Sequence, residues 1–190
     1  MKTKLIITLS LLILKSTLSF SQMDSSGIYR SSDDFVKQKL SFAINCNTEK
    51  HKIKDQMIFA PGKITIKHGD STFTYVKDSI YGIKKCDGTI LRVYSNTEYP
   101  LINPGEQIMI YKLTTSSTKA SPKVINYYFS KDAESKVEDL TISNLKAAFH
   151  DNHKFHDLID AQFHNNKELT LYDNTHKIMK VNRILQNSMK

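Results

Sequence analysis

Histidines are the residues of this chain whose type and spacing come closest to a chemical site. Five of the seven lie in the C-terminal segment that begins at His150. His153 and His156 are three residues apart, which makes them neighbours on one helical face, and Asp160 follows one turn later. Two imidazoles and a carboxylate can bind a zinc ion and leave one position open for water. His153, His156 and Asp160 are therefore candidate metal ligands, and a zinc-dependent hydrolase is one candidate function.

The surrounding sequence favours a simpler interpretation of these histidines. No glutamate stands between paired histidines, as it does in the H-E-x-x-H motif of zinc proteases. Phe155 and Ile159 are expected to face the core, which places His153 and His156 at its rim. Surface histidines on a helix rich in Lys, Asp and His are the favoured alternative, and no cofactor is predicted.

Other catalytic motifs are missing from the sequence. The chain has no G-x-S-x-G nucleophile motif, and Gly62-Lys63 lacks the upstream glycine of a phosphate-binding loop. Asp33 and Asp34 are explained by helix capping rather than by glycoside hydrolysis, because acids stabilise the first turn of a helix. The sequence therefore predicts no catalytic residue and favours a non-catalytic role.

The two cysteines, Cys46 and Cys86, leave two alternatives open. In an oxidising compartment they can form a disulfide, and closing a loop of about 40 residues would stabilise the fold by roughly 3–4 kcal/mol. Two free thiols are favoured, because a domain of this size does not need a bridge and because Cys86 lies at a predicted hairpin tip. The pair has no C-x-x-C metal spacing.

Tyrosines recur along the predicted strands and also allow two interpretations. An exposed row would form a platform for a carbohydrate or a peptide, whereas half-buried tyrosines would join the core to the solvent. The second interpretation is favoured. The tyrosines concerned are Tyr75, Tyr81, Tyr94, Tyr99, Tyr111, Tyr127 and Tyr128.

A chain of short strands is predicted between residues 64 and 113, because turn residues separate β-rich runs. Asp87-Gly88 is the strongest hairpin signal and suits a two-residue turn. That turn would place Ile83 and Ile90 on one face of the hairpin and Leu91 on the other. The sequence therefore predicts an antiparallel meander with strands at 64–67, 72–76, 80–85, 89–94 and 107–113, and further strands at 57–60 and 124–129.

Helical patterns flank this meander. Ser31 to Asp34 can cap a short helix predicted over 32–39. In the C-terminal part, Thr141 can cap one helix and the pair Asp151-Asn152 the next, and Asn174 or Thr175 a last one. Strands followed by helices indicate an α+β fold, in which the meander packs against the C-terminal helices. The predicted apolar stripes contain Phe155, Leu158, Ile159 and Phe163 in one helix, and Ile178, Val181 and Leu185 in the last.

The first 21 residues have the three-part pattern of a cleavable signal peptide. Lys2 and Lys4 precede an apolar run over 5–14, and Ser19-Phe20-Ser21 provides small residues before a cleavage site at Gln22. The run would rise only about 15 Å as a helix, against a hydrocarbon core of about 30 Å. We therefore expect a signal peptide at 1–21 and a single domain at 22–190. The protein would be exported to the periplasm, the cell surface or the exterior, with no transmembrane segment after cleavage.

The composition and the charge limit the kinds of partner that the chain is expected to bind. The net charge is +8, and it falls to +5 when the leader removes Lys2, Lys4 and Lys15. The remaining basic residues are mostly lysines interleaved with acids, whereas a nucleic-acid groove would cluster arginines and aromatic residues. No nucleic-acid partner is predicted, and we expect a monomer. A weak electrostatic preference for acidic surfaces or polymers is retained.

Three stretches of the chain resemble sequences found in a group of known proteins. They are Gly27-Ile28-Tyr29 with Asp33-Asp34-Phe35, then Ile80-Tyr81-Gly82 through Arg92-Val93-Tyr94, and finally Ala148-Phe149, Asp151-Asn152, the run 155–160, Tyr172-Asp173, His176-Lys177 and Val181-Asn182. With them the chain resembles small exported proteins of Bacteroidota-type bacteria that have no assigned activity. The resemblance implies export and a shared fold, and it brings no functional residues with it.

The sequence thus favours an exported, non-catalytic binding or interaction protein of unidentified ligand. Binding would use the sheet or the segment 114–122, which is rich in Ser, Thr and Lys. The alternatives are a zinc-dependent hydrolase built on the C-terminal histidines and an envelope scaffold protein without a small ligand.

Overall fold

The described residues form strands first and helices last. The structure, a computed structural model, describes residues 25–49, 52–54, 62–115 and 122–190. The predicted leader at 1–21 and the predicted strand at 57–60 lie outside the described residues. In chain order the elements are β1 (Ser25–Tyr29), α1 (Ser32–Val36), β2 (Ser41–Asn45), β3 (Lys52–Lys54), β4 (Lys63–His68), β5 (Ser71–Val76), β6 (Gly82–Lys84), β7 (Ile90–Tyr94), β8 (Thr97–Pro100), β9 (Met109–Thr115), β10 (Val124–Ser130), β11 (Glu138–Asp139), α2 (Ile142–Ala148), α3 (His153–Gln162), β12 (Tyr172–Asp173), β13 (Ile178–Met179) and α4 (Lys180–Ser188), with 3₁₀ turns at Lys77–Ser79 and Asn166–Thr170.

The α+β prediction is confirmed, and the strands divide among antiparallel sheets. The first sheet has the order β2-β1-β6-β7-β8, the second β3-β4-β5 and the third β11-β10-β9, while β12 pairs with β13. A bridge between Leu101 and Tyr111, and a hydrogen bond of 2.9 Å from the Ile102 amide to the Ile110 carbonyl, continue the first sheet into the third. Strands β6 to β10 thus form a meander, but β4 and β5 leave it for a separate sheet.

The β6–β7 hairpin has a different register from the predicted one. The Gly88 amide donates to the Lys85 carbonyl and the Lys85 amide to the Thr89 carbonyl, and Gly88 has φ +83. This is a three-residue loop with a glycine bulge, so Ile83 pairs with Leu91 rather than sharing a face with Ile90. The one-residue shift places Ile83 and Leu91 together in the core, and the predicted face assignment is wrong.

The second sheet covers one face of the first. Ile64 and Ile66 of β4 are fully buried, and they pack with Ile28, Ile83 and other apolar residues of β1, β6 and β7. Tyr29 and Phe35 belong to a separate apolar cluster with Tyr81 and Tyr111. Both faces of the central strands are therefore covered, which explains why their sequences do not alternate cleanly.

The C-terminal helices cover one face of the third sheet. Ile110 of β9 and Phe129 of β10 lie directly opposite each other and pack against the buried residues Leu145, Phe155 and Leu185. Thr141 caps α2 and Asn152 caps α3 through their side chains, as predicted, and the stripe of Phe155, Leu158, Ile159 and Phe163 faces this core. The predicted packing of helices on the sheet is confirmed.

Two predicted helix boundaries are wrong. Helix α1 ends at Val36 rather than near Lys39, because Gln38 takes φ +55 and leaves the helical conformation. Helix α4 begins at Lys180, after the β12–β13 ribbon, so neither Asn174 nor Thr175 caps it. The Asp173 carboxylate accepts hydrogen bonds from the amides of Thr175 and His176, and this local turn replaces a helix start.

Among the described helices, none combines the length and the apolar composition that crossing a membrane requires.

Candidate functional site

The outward side of the second sheet is a basic surface without acids. Strands β3, β4 and β5 together contain four lysines and one histidine, and no Asp or Glu. Since Ile64 and Ile66 point into the core, Lys63, Thr65 and Lys67 between and beside them point outwards. The register sets Lys54 and Thr74 beside Thr65, and Thr72 beside Lys67. We call this surface the lysine face; it consists of Lys54, Lys63, Thr65, Lys67, Thr72 and Thr74.

Among the described residues, the lysines of this face have no acidic partner, unlike the lysines that form ion pairs. Lys136 and Lys146 lie 2.7 and 2.5 Å from carboxylate oxygens of Glu138 and Asp160. Within the described ranges no carboxylate pairs in this way with Lys54, Lys63 or Lys67, all of which are exposed. The lysine face therefore has a positive potential that nothing in the described part of the chain neutralises.

Spacing along the strands makes the lysine face broad and flat. Lys63 and Lys67 are four residues apart on β4, which corresponds to about 13 Å, and Lys54 lies on the neighbouring strand, about 4.8 Å away. The side chains between them are threonines, which are short and offer hydroxyl groups for hydrogen bonds. Such a surface suits an extended partner that carries several negative charges, rather than a small molecule that needs an enclosed pocket.

A buried ion pair holds the second sheet against the first. Lys77, which follows β5, places its Nζ 2.6 Å from Oε1 of Glu98 on β8, and both side chains are about 10% exposed (10% and 11%). The contact is an ion pair without hydrogen-bond geometry at Oε1. The Lys77 amide also donates to the Gly62 carbonyl. This hydrogen bond extends the β4–β5 pair at the end opposite the turn between the two strands. The lysine face is therefore anchored to the edge strand of the first sheet.

The predicted metal ligands do not form a site. His156 directs Nε2 towards the carbonyls of Lys146 and Phe149, at 3.0 and 3.1 Å, and so bonds the last carbonyls of α2. Asp160 pairs with the Lys146 ammonium, while His153 is exposed and its ring centre lies 6.0 Å from that of His156. Among the described residues, no group of three His, Cys, Asp or Glu side chains is placed to share a metal ion. In this structure His156 and Asp160 thus have other partners, and His153 is exposed.

His176 takes part in a chain of hydrogen bonds in the C-terminal ribbon. Its Nδ1 lies 2.7 Å from Oδ2 of Asp173, and Arg183 places Nη2 2.9 Å from its Nε2. Hydrogen bonds from the His176 amide, the His176 ring and the Thr175 amide lower the pKa of Asp173 below its ordinary value. Since Arg183 occupies the nitrogen that a general base would need, these residues join the β12–β13 ribbon to α4 and form no catalytic pair.

The exposed row of tyrosines, the less favoured of the two interpretations, is not formed by these seven residues. Tyr81 and Tyr111 are buried, and the other five tyrosines of that set are half-buried. The Arg92 guanidinium stacks on the Tyr81 ring at 3.6 Å and donates to the Tyr81 and Val93 carbonyls. Burial raises the pKa of Tyr81 and of Tyr111 above the ordinary value, so both hydroxyls stay protonated at neutral pH. These side chains are part of the core, as the favoured interpretation predicts.

The two cysteines are joined. Cys46 and Cys86 form a disulfide with their Cα atoms 5.6 Å apart, so the favoured expectation of two free thiols is wrong. Cys46 follows β2 and Cys86 lies in the β6–β7 loop, and both strands flank β1. The bridge therefore spans β1, a closeness that the sequence spacing of 40 residues could not reveal.

Sequence reasoning missed the lysine face, although a signal was present. The pattern K-I-T-I-K at 63–67 alternates charged and apolar residues as a half-buried strand does. The short strand β3 was not predicted, so the lysines of two strands were not placed side by side. The other surface proposed for binding, the segment 114–122, is described only at Thr114, Thr115 and Pro122, and 116–121 lie outside the described residues.

Comparison with protein-family models, curated proteins and solved structures finds no match for this chain. Its function is therefore inferred from its own geometry.

Proposed function

We propose that this chain is an exported, non-catalytic binding protein that recognises an acidic partner through the lysine face. The observation that carries the proposal is the position of Lys54, Lys63 and Lys67 on one flat sheet surface without any acid in the three strands. An enzyme would need converging reactive groups, and two of the C-terminal histidines, His156 and His176, are instead engaged in structural contacts.

The strength of binding would come from several weak contacts made at once. A single exposed ion pair contributes only about 0.2–1 kcal/mol, because water and salt screen it. A polymer that meets three ammonium groups gains more, since its later contacts form within one complex. The interaction should therefore weaken steeply with ionic strength, as the screening length falls from about 10 Å at 0.1 M salt to about 3 Å at 1 M.

Export is part of the proposal. The leader pattern at 1–21 and the resemblance to small exported proteins support it. The Cys46–Cys86 disulfide agrees with an oxidising compartment, where such bonds persist. Amino-terminal sequencing of protein isolated from the cell envelope or the medium tests this point, and Gln22 is the expected first residue; a mature protein that begins at Met1 would contradict it.

The binding test uses polygalacturonate, which presents carboxylates without peptide groups and so reports the charge alone. The variant K54Q/K63Q/K67Q should bind the immobilised polymer at least tenfold more weakly than the unchanged protein at 50 mM salt. The matched control K112Q/K167Q/K177Q removes the same three charges from other exposed positions and should change the affinity less than twofold. Binding is measured by interferometry at several salt concentrations.

Two results would overturn the assignment of the lysine face. Equal losses in both triple variants would show that only the net charge matters. No binding of polygalacturonate by the unchanged protein at 50 mM salt would show that the surface does not attract an acidic polymer. Thermal unfolding of each variant checks that the fold is retained, which is expected because all six lysines are exposed.

A further inference from the structure

The edge of the second sheet is open along β5. Its sequence, STFTYV, has no charged residue, no proline and no glycine, and among the described strands β5 pairs only with β4. Proteins normally protect a sheet edge with charges, proline, bulges or very short strands. Two other described edge strands have such protection. Strand β3, at the opposite edge of this sheet, has only three residues and carries lysines, and β2 pairs with β1 through an irregular register. The β5 edge has none of these protections.

The register shows which backbone groups face outwards. The Lys77 amide donates to the Gly62 carbonyl, so the pairs at Tyr75–Ile64 and Phe73–Ile66, two and four residues further on, are also hydrogen-bonded. The intervening residues Thr72, Thr74 and Val76 therefore direct their amides and carbonyls away from β4. The Val76 carbonyl accepts from Ser79 Oγ at 2.7 Å. No described residue bonds the outward groups of Thr72 and Thr74, which are left to pair with an added strand.

The inner side of this edge is apolar. Phe73 is 37% exposed although it points towards the first sheet, and its ring lies 4.6 Å from that of Phe42 on β2. Tyr75 is held by a hydrogen bond of 3.2 Å from Arg30. An added strand would place its inward side chains against Phe73 and Phe42 and would cover the exposed part of Phe73.

The outer side of the edge is basic. Lys67 lies opposite Thr72 and Lys63 opposite Val76, so the two lysines of β4 lie one strand in from the edge. Acidic side chains four residues apart on an added strand would reach these ammonium groups across the short side chains at the edge. A residue between them would lie beside Thr74 and could be small and polar.

We propose that β5 binds an extended acidic segment of a partner protein as an added antiparallel strand. The segment has acidic residues at i and i+4 facing Lys63 and Lys67, and apolar residues at i+1 and i+3 facing Tyr75 and Phe73. This inference rests on the proposed function, because it names the partner of the same lysine face. Backbone hydrogen bonds to Thr72 and Thr74 supply affinity, and the alternating side chains supply specificity.

Charge favours this occupant over a second copy of the chain. A second β5 strand would bring no acid to Lys63 and Lys67, and it would place a second lysine face in the same sheet plane. An acidic segment instead neutralises the surface that the described part of the chain leaves unpaired.

The test uses the capped peptide Gly-Glu-Val-Thr-Val-Glu-Gly, whose pattern matches the edge. Fluorescence anisotropy of the labelled peptide measures its affinity for the disulfide-bonded protein. The same peptide with an N-methyl group on its threonine keeps every charge but cannot donate to the Thr74 carbonyl, and it should bind at least tenfold more weakly. The variant K63Q/K67Q should also weaken binding of the unmodified peptide at least tenfold.

A substitution in β5 tests the edge from the side of the protein. T74P removes an outward amide but no hydrogen bond to β4, so the sheet should persist while peptide affinity falls at least tenfold. The control T74V keeps the amide and lacks the same hydroxyl, so it should bind the peptide at least fivefold more tightly than T74P. Polygalacturonate binding should be equal in T74P and T74V, because both variants lack the Thr74 hydroxyl. If T74P fails to fold, the N-methyl peptide still decides the question.

Three outcomes would overturn the inference. Equal binding of the plain and the N-methylated peptide would show that no strand is added. No peptide binding by a protein that still binds polygalacturonate through the lysine face would leave the proposed function in place and remove only this inference. A dimer of the unliganded protein in sedimentation that T74P abolishes would assign the edge to a second copy of the chain.

Discussion

Two buried tyrosines differ in whether their hydroxyl groups are hydrogen-bonded, and this difference should decide the sign of a stability change. The Tyr111 hydroxyl lies 2.8 Å from Ser130 Oγ, whereas the Tyr81 hydroxyl is buried without a hydrogen-bond partner and its residue is only 5% exposed. A buried polar group without a partner costs about 1–3 kcal/mol. We therefore expect Y81F to raise the free energy of unfolding by about 1 kcal/mol, because the ring and its contact with Arg92 remain.

The matched substitution is Y111F. It leaves Ser130 Oγ without this partner and should lower the free energy of unfolding by about 1 kcal/mol. Urea unfolding followed by tyrosine fluorescence measures both variants. A loss of stability in Y81F as large as that in Y111F would mean that the Tyr81 hydroxyl is hydrogen-bonded after all.

Single residues were predictable where their role is local. Thr141 and Asn152 were assigned as helix caps because a cap bonds an amide only three residues away, and the structure confirms both. His156 could not be assigned, because the carbonyls that it bonds belong to the preceding helix and the approach of the two helices is a tertiary property. The candidate metal ligands were chosen without knowledge of this contact.

At the scale of elements, the Lys77–Glu98 ion pair fixes how the second sheet meets the first. Both side chains are almost buried, so removing one partner leaves the other charge without compensation. We expect E98Q to lower the free energy of unfolding by roughly 3–5 kcal/mol. The double variant K77M/E98L should recover most of this loss, since a buried ion pair is often replaced by apolar residues of similar size at little cost.

Chemical unfolding of the single and double variants measures the coupling between these residues. The exposed pair Lys37–Asp33 provides the control, and D33N should change stability by less than about 1 kcal/mol. The double variant could instead be less stable than E98Q. That result would show that the charged side chains stabilise the packing of the two sheets in a way that apolar side chains do not replace.

Elements were predicted better than their pairing. The runs around 64–67 and 72–76 were recognised as strands, because their β-branched and aromatic residues are bounded by turn residues. Their departure from the meander depends on long-range packing against Ile28, Ile83 and Leu91, which no local pattern encodes. The hairpin register failed because Asp87-Gly88 suits both a two-residue turn and a three-residue loop with a bulge. The lysine face was missed for the same reason, since it exists only once strands pair.

At the scale of the whole molecule, one covalent bond crosses the strand with which the described chain begins. The first sheet places β1 between β2 and β6, and the disulfide joins the end of β2 to the loop after β6. Its two cysteines are 40 residues apart, and the enclosed segment contains all of the second sheet. The loop that carries the lysine face is therefore closed at its base, and its ends are fixed in both the folded and the unfolded chain.

Removing this bond should destabilise the whole domain without removing the lysine face. In the chain-entropy description a loop of this length contributes roughly 3–4 kcal/mol, so C46A/C86A should lower the free energy of unfolding by about that amount. For a domain of this size each 1 kcal/mol corresponds to about 2–4 °C in Tm.

Calorimetry of the unchanged protein with and without a reductant should give the same difference in Tm as the double variant, because the reduced protein and the double variant both lack the cross-link. An unchanged Tm after reduction would show that the bond does not restrict the unfolded chain. Retained polygalacturonate binding by folded C46A/C86A is expected below its Tm, since Ile64 and Ile66 hold the sheet in place by packing.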